Sequence, residues 1–176
     1  FSAGADIGEF RHLRSTPEGV AAYDKAVDAA VDALAGMAKP SIAMVRGNCI
    51  GGGCQLSVAC DLRFAAPGSR FGITPAKLGI VYHFESTRLL TELVGPAQAR
   101  YLLLSGNLVD AARAREIGLV TDVFDDLEGQ TEQFAATLCS RSQTSVRGMN
   151  RIIGKIAAGL TAPDDEVHAL RDEAAR

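Results

Sequence analysis

The chain has 176 residues, 47% hydrophobic and 22% charged, with a formal net charge of −3, a balance that supports a buried core and excludes a disordered segment. Its 18 Lys and Arg are scattered among 21 Asp and Glu, so there is no clustered basic face for nucleic acid, and no apolar run is long enough to span a bilayer. Cys49, Cys54, Cys60 and Cys139 lack the C-x2-C spacing of a zinc site; no metal is expected, and they read as buried, reduced thiols of a cytoplasmic protein.

The chain opens at Phe1 without an initiator Met or a signal peptide, and is read as a fragment. Asp6 followed by Glu9 forms a D-x-x-E variant of the capping box, which predicts a helix from about Ile7. Pro17 and Gly19 interrupt it. Val20, Tyr23, Val27, Val31, Leu34 and Met37 then recur at helical spacing, predicting an amphipathic helix that ends before Lys39-Pro40, with Asp24, Lys25, Asp28 and Asp32 on its solvated face. Residues 41–45 are rich in β-formers and read as a strand, residues 46–50 as a turn into Gly51-Gly52-Gly53, and 53–60 as a helix buried through Leu56, Val58 and Ala59. Strands follow over 61–66 and 71–73, joined by a Pro67-Gly68 turn. Helices over 84–94, 96–104 and 110–117 are punctuated by glycines, a last strand covers 119–124, and helices over 131–141, 146–160 and 163–176 complete the chain. Short strands alternating with helices, without a sequence repeat, imply an α/β arrangement.

Three glycines between a strand and a helix allow backbone conformations and close approaches that a β-carbon would block. They also leave the first helical N–H groups free, at the positive end of the helix dipole, where they can stabilise an oxygen gaining negative charge. The same run is also a common packing turn. It lacks the spacing and the lysine of a phosphate-binding loop.

A second block of sequence accompanies it. The segment 1–7 (FSAGADI), the block 47–56 (GNCIGGGCQL), Cys60-Asp61, and Phe71-Gly72 with Pro75 and Leu78-Gly79 together resemble the enoyl-CoA hydratase/isomerase, or crotonase, family. The likeness is strong over 1–125, taking in Gly95-Pro96 and residues 102–106 and 114–120, and fades to helical pattern beyond. It implies a spiral of ββα units, a crotonase core over 1–125 lacking the family's N-terminal strands, and a helical region over 126–176 that builds homotrimers or pairs of trimers. It further implies an acyl-CoA substrate, with coenzyme A present only as part of that substrate and no other cofactor. The backbone N–H groups of Ala5 and Gly52 would form the oxyanion hole, and Ser2, Ala3 and Gly4 would lie along the adenine and pantetheine.

The sequence departs from the family where hydratases carry two glutamates. The first falls at Gln55 and the second at or beside Ala76. An amide and a methyl group cannot exchange the protons that hydration requires, whereas a thioester enolate formed by decarboxylation needs no carboxylate base. The segment 74–82 looks like that of methylmalonyl-CoA decarboxylases, in which a tyrosine at the place of Tyr82 contacts the acyl group; those enzymes carry His and Glu where this chain has Ala5 and Gln55. Tyr82 and Gln55 are therefore candidate donors to a substrate carboxylate, Tyr82 alternatively a packed aromatic. His83 and Glu85 are either a titrating pair at the pocket mouth or a surface loop, and Arg88 either a phosphate contact or part of a solvated helix face. The expected reaction is decarboxylation or isomerisation; hydration through other acid/base groups and an inactive CoA-binding scaffold are the alternatives.

Overall fold

The computed structural model describes residues 1–6, 8, 9, 13 and 15–174. Asp6 Oδ1 accepts the Gly8 N–H at 2.8 Å and Gly8 and Glu9 are helical; Ile7, where that helix was expected to start, lies outside the described residues. The break expected at Pro17 and Gly19 falls at Ser15 and Thr16 instead, and Pro17 and Gly19 lie in the first turn of α1 (Pro17–Ala35), because Thr16 Oγ1 accepts the Gly19 N–H at 3.1 Å. Proline in the first turn has no N–H to lose and its φ is preset for a helix.

Strand β1 (Ile42–Val45) runs parallel to β3 (Leu62–Ala65), which pairs in parallel with β6 (Asp122–Val123). Strand β2 (Asn48–Ile50) runs parallel to β4 (Arg70–Gly72), whose other edge takes β5 (Val109–Asp110) antiparallel. The first four strands thus go alternately to two sheets, with α2 (Gly52–Ala59) after β2, and a one-turn 3-10 segment (Pro75–Leu78) and α3 (Phe84–Ser105) after β4. This is the α/β spiral of ββα units that the resemblance implies. Residues 46–50 are not simply a turn. The reversal is confined to Arg46 and Gly47, at φ 70°, and 48–50 form a strand because β4 pairs with one edge and the N-terminal segment bridges the other: Ser2 N–H donates to Asn48 O at 2.8 Å and Ile50 N–H to Ser2 O at 2.9 Å.

The strand expected over 119–124 shortens to β6 because the Val120 N–H is spent on Ala114 O, at 3.0 Å, closing α4 (Ala111–Glu116). The two helices expected over 84–104 are both present within α3, divided where expected by the non-helical Gly95 (φ 76°, ψ 161°) before Pro96. The last three helices, α5 (Leu127–Cys139), α6 (Gln143–Ala157) and α7 (Asp165–Ala174), have their N-termini set by side chains of Asp126, Ser142 and Asp164 that accept N–H groups three residues on, at 3.0–3.3 Å. Helix α5 consequently begins four residues before the expected 131. It packs Phe134 edge-on against Phe64, ring centroids 5.3 Å apart, and Phe64 meets Phe124 at the same distance.

Phe71, Ile73, Leu90, Leu102 and Leu119 are fully buried. Leu56, expected in the core, is 38% exposed. Of the four free thiols Cys49 and Cys54 are buried as expected, but Cys60 is half-buried and Cys139 exposed. Among the described residues no helix is long and apolar enough to cross a membrane, and no three His, Cys, Asp or Glu side chains cluster as a metal site.

Candidate functional site

The junction of β2 and α2 needs glycine at positions 51 and 53. Gly51 adopts φ 57°, ψ −123°, ties the turn to β4 by donating its N–H to Gly72 O at 2.8 Å, and starts α2 by accepting the Gln55 N–H at 3.0 Å. A β-carbon on Gly53 would stand 2.5 Å from Ser2 O. The first residues of the chain can therefore lie directly against the start of α2, with Ser2 bridged in parallel to Cys49. That approach brings Ala5 to Gly52: a methyl group built on Gly52 would lie 3.7 Å from the Ala5 nitrogen. Gly52 occupies the first turn of α2, where N–H groups have no partner in the helix. Among the described residues the hydrogen bonds engage neither the Gly52 N–H nor that of Ala5.

These residues open on a cavity of about 450 Å³. Ser2, Ala3, Gly4, Ala5, Gly51 and Gly52 form one side; Gln55 and Leu56 continue it along α2; Thr74, Pro75, Leu78, Ile80, Tyr82 and His83 form another; and Tyr23, Ala26, Val27 and Ala30 of α1 close the wall. Every residue singled out from the sequence at Ser2, Ala3, Gly4, Ala5, Gly52, Gln55, Tyr82 and His83 lines this one space. No Asp or Glu does. Leu56 is exposed because it faces the cavity, and the α1 face that sequence periodicity assigned to the core supplies part of the wall.

Besides Thr74, the polar side chains in the lining around α2 and the 74–83 segment are Gln55, Tyr82 and His83. Gln55, 7% exposed, donates from Nε2 to Ser86 Oγ at 2.6 Å. Tyr82 lies beside the same serine; burial pushes its phenol well above the usual range, the nearby Cys54 thiol adds to the rise, and a hydrogen bond with Ser86 offsets part of it. Tyr82 is thus a neutral donor. His83 does not pair with Glu85. Its Nδ1 is 3.1 Å from Asp28 Oδ1 and its Nε2 3.7 Å from Asp24 Oδ1, so two residues expected on a solvated face of α1 instead meet the histidine. Glu85 binds Arg88 at 2.9 Å, and Arg88 also binds Glu92 at 2.8 Å, so the arginine is held along the α3 surface. Ser86, Tyr23, Asp24 and Asp28 were not identified from the sequence. Only helical spacing hinted at Tyr23, and it cannot tell a core face from a cavity face.

Residues 1–164 match the family described as enoyl-CoA hydratase/isomerase. A crotonyl-CoA hydratase from Syntrophomonas wolfei is 35% identical over 99% of this chain and 65% of its own length. A short-chain-enoyl-CoA hydratase from Clostridium acetobutylicum is 32% identical over 99% of this chain and 66% of its own. The chain therefore spans slightly less than two thirds of these curated relatives. A crystal structure of an enoyl-CoA hydratase/isomerase family protein from Hyphomonas neptunium superposes with a TM-score of 0.95 at 35% identity, covering 99% of this chain and 67% of that one. Shared sequence over nearly the whole chain, together with the shared spiral and glycine turn, establishes that this chain belongs to the enoyl-CoA hydratase/isomerase family.

Proposed function

We propose that the chain is the acyl-thioester site of an acyl-CoA-processing enzyme that stabilises a thioester enolate with the N–H groups of Ala5 and Gly52. The observation that carries this reading is the pair of neighbouring N–H groups, unengaged among the described residues, on a cavity that no described carboxylate lines. Donors already in place for an oxygen that gains charge lower the barrier without reorganising. Ser2, Ala3 and Gly4 would follow the CoA moiety.

A lining without Asp or Glu favours decarboxylation over base-dependent chemistry, with isomerisation as a further use of the same enolate. In a malonyl-type thioester the bond from the α-carbon to the carboxylate carbon breaks and carbon dioxide leaves. Its electron pair forms the α-carbon to carbonyl-carbon double bond, the carbonyl π pair moves onto the thioester oxygen, and water later returns a proton to the α-carbon. Tyr82, neutral at ordinary pH, and Gln55 would hold the departing carboxylate through hydrogen bonds.

Hydration is the second reading, favoured by the names of the relatives and by His83, which lines the cavity with Asp28 on its Nδ1. In that reading His83 moves the proton that a glutamate would otherwise move. Incubation with malonyl-CoA, methylmalonyl-CoA and crotonyl-CoA, followed by mass spectrometry, separates the two. Carbon dioxide loss supports the first; conversion of crotonyl-CoA to its 3-hydroxy product, with malonyl thioesters untouched, replaces it with the second. Binding without turnover would make the chain a CoA-binding homologue.

Homo-oligomerisation belongs to the same reading. Met149, Ile153 and Ile156 of α6 are 58%, 64% and 59% exposed and fall on one helical stripe, which suits residues 126–176 to packing against further copies of the chain.

A further inference from the structure

Thr74 stands in the capping position of the 3-10 segment, yet its side chain makes no capping hydrogen bond. Thr16, in the same position before α1, does so at 3.1 Å. The Thr74 backbone oxygen accepts the Lys77 N–H at 3.1 Å, but its hydroxyl meets no partner among the described residues. Every other serine and threonine hydroxyl from Ser41 to Thr131 does, as Ser57 meets Cys54 O at 2.8 Å and Ser69 meets Val45 O at 3.0 Å. The hydroxyl left unspent belongs to a residue that lines the cavity.

Its place follows from the strand pairing. The Gly51 N–H is held by Gly72 O at 2.8 Å, and Thr74 comes two residues after Gly72, a reach of about 7 Å at most. Ile73 between them is buried in the core. Thr74 therefore stands beside the glycine turn, at the end of the cavity where the Ala5 and Gly52 N–H groups would hold the thioester oxygen. The other polar side chains are committed: Gln55 donates to Ser86 at 2.6 Å, His83 faces Asp28 at 3.1 Å, and Tyr82 is assigned above to the departing carboxylate. A hydroxyl has one proton to donate and two lone pairs that accept. An unspent one on an apolar wall can hold a water molecule in a fixed place.

We propose that Thr74 is a positioning residue that holds the water from which the enolate takes its proton, and so fixes the face on which the α-carbon is protonated. The inference rests on the decarboxylation reading above and concerns the step that ends it. When the bond to the carboxylate carbon breaks, the α-carbon becomes part of a planar enolate with two open faces. The held water gives a proton to the α-carbon, the carbon–carbon π pair forms the new C–H bond, and an oxygen lone pair restores the thioester carbonyl. The hydroxide left behind adds to carbon dioxide and leaves as bicarbonate. A water held on one wall reaches one face.

Turnover of methylmalonyl-CoA in heavy water tests it, because the proton returned to the α-carbon is then a deuteron and makes that carbon of the propionyl product stereogenic. Deuterium NMR of a chiral ester of the derived propionate reads the configuration. The native chain is expected to give one configuration. Thr74→Val, which keeps the shape and removes the hydroxyl, should give a near-equal mixture while KM for methylmalonyl-CoA stays within about twofold, and Thr74→Ser should restore the single configuration. Should Thr74→Val not fold, Thr74→Ala is expected to give the same mixture. A single configuration from the valine or alanine variant, or a mixture from the native chain, would overturn the inference and leave the decarboxylation reading standing. So would a rise in KM of about fivefold or more with the configuration kept, the weight of one hydrogen bond made to the substrate itself. Absence of decarboxylation by the native chain would overturn both.

Discussion

At the C-terminal end of α2 the carbonyls of Ser57, Val58 and Cys60 converge on the Arg63 guanidinium, at 3.2, 3.5 and 2.6 Å, whereas at its N-terminal end the Gly52 N–H meets no partner among the described residues. Arg63 is 4% exposed, also donates to Leu119 O and Asp61 O at 2.9 and 3.3 Å, and forms no ion pair among the described residues. Burial lowers its pKa, but an arginine so placed stays charged at neutral pH, and its charge complements the negative end of the helix dipole. One short helix thus has a saturated end and an open end. The saturated end joins α2 to β3 and to the segment after α4; the open end faces the cavity. Unspent backbone donors beside a cavity point to work on a ligand, whereas a buried charge enclosed by carbonyls points to the fold.

The largest test of that contrast is Gly52→Pro, which deletes the open N–H at a helix position that accepts proline. The barrier to turnover should rise by roughly 2.7–4 kcal/mol, with far-UV circular dichroism unchanged; full activity in a folded variant would make the open end a packing turn. Arg63→Met attacks the other end. Leaving several buried carbonyls without a donor should cost about 2–3 kcal/mol of stability in urea melts, while the thioester affinity of the folded fraction stays as it was. A loss of affinity without a loss of stability would erase the distinction between the two ends.

The smallest effect belongs to charges that are neither buried nor catalytic. Glu166 of α7 is held by Arg151 and Lys155 of α6 at 2.7 and 2.5 Å, and they lower its carboxyl to about 2 from the ordinary 4.5. A depressed carboxylate stabilises the folded state above its ordinary pKa, and that contribution is lost as pH falls from 4.5 towards 2. Exposure and salt screening keep it small. Hydrogen exchange in α7 should quicken across that window, with less effect in high salt, while α2 amides do not respond; a response in α2 would mean that the exposed ion pairs support the site after all.

Much of the strand and helix order was legible because period and punctuation are local. Residues 41–45, 61–66 and 71–73 lie within a residue or so of β1, β3 and β4, and Gly118 marks the end of α4. The two-residue strand β5 was not, since it exists only through its partner, here Phe71 against Val109. Side-chain caps at Asp126, Ser142 and Asp164 moved helix starts by several residues, a signal present in the sequence but outweighed there by apolar spacing. The candidate site divides in the same way. Residues 2–5 and 51–55 carry recognisable motifs, whereas Ser86 is one ordinary serine in a helix, and Asp24 and Asp28 look like any solvated face.

What the sequence determined alone is the local chemistry: three glycines at 51–53, an amide at position 55, and alanine at 76. These follow from residue identity and need no partner. Tertiary structure decided which distant groups share a space. It brought the start of the chain against α2, turned one face of α1 into a cavity wall, set Asp28 on His83, and tied Gln55 to Ser86. Such contacts depend on chain segments separated by tens of residues, and no periodicity or motif encodes them, because the energy of a contact exists only once folding has paired its two sides.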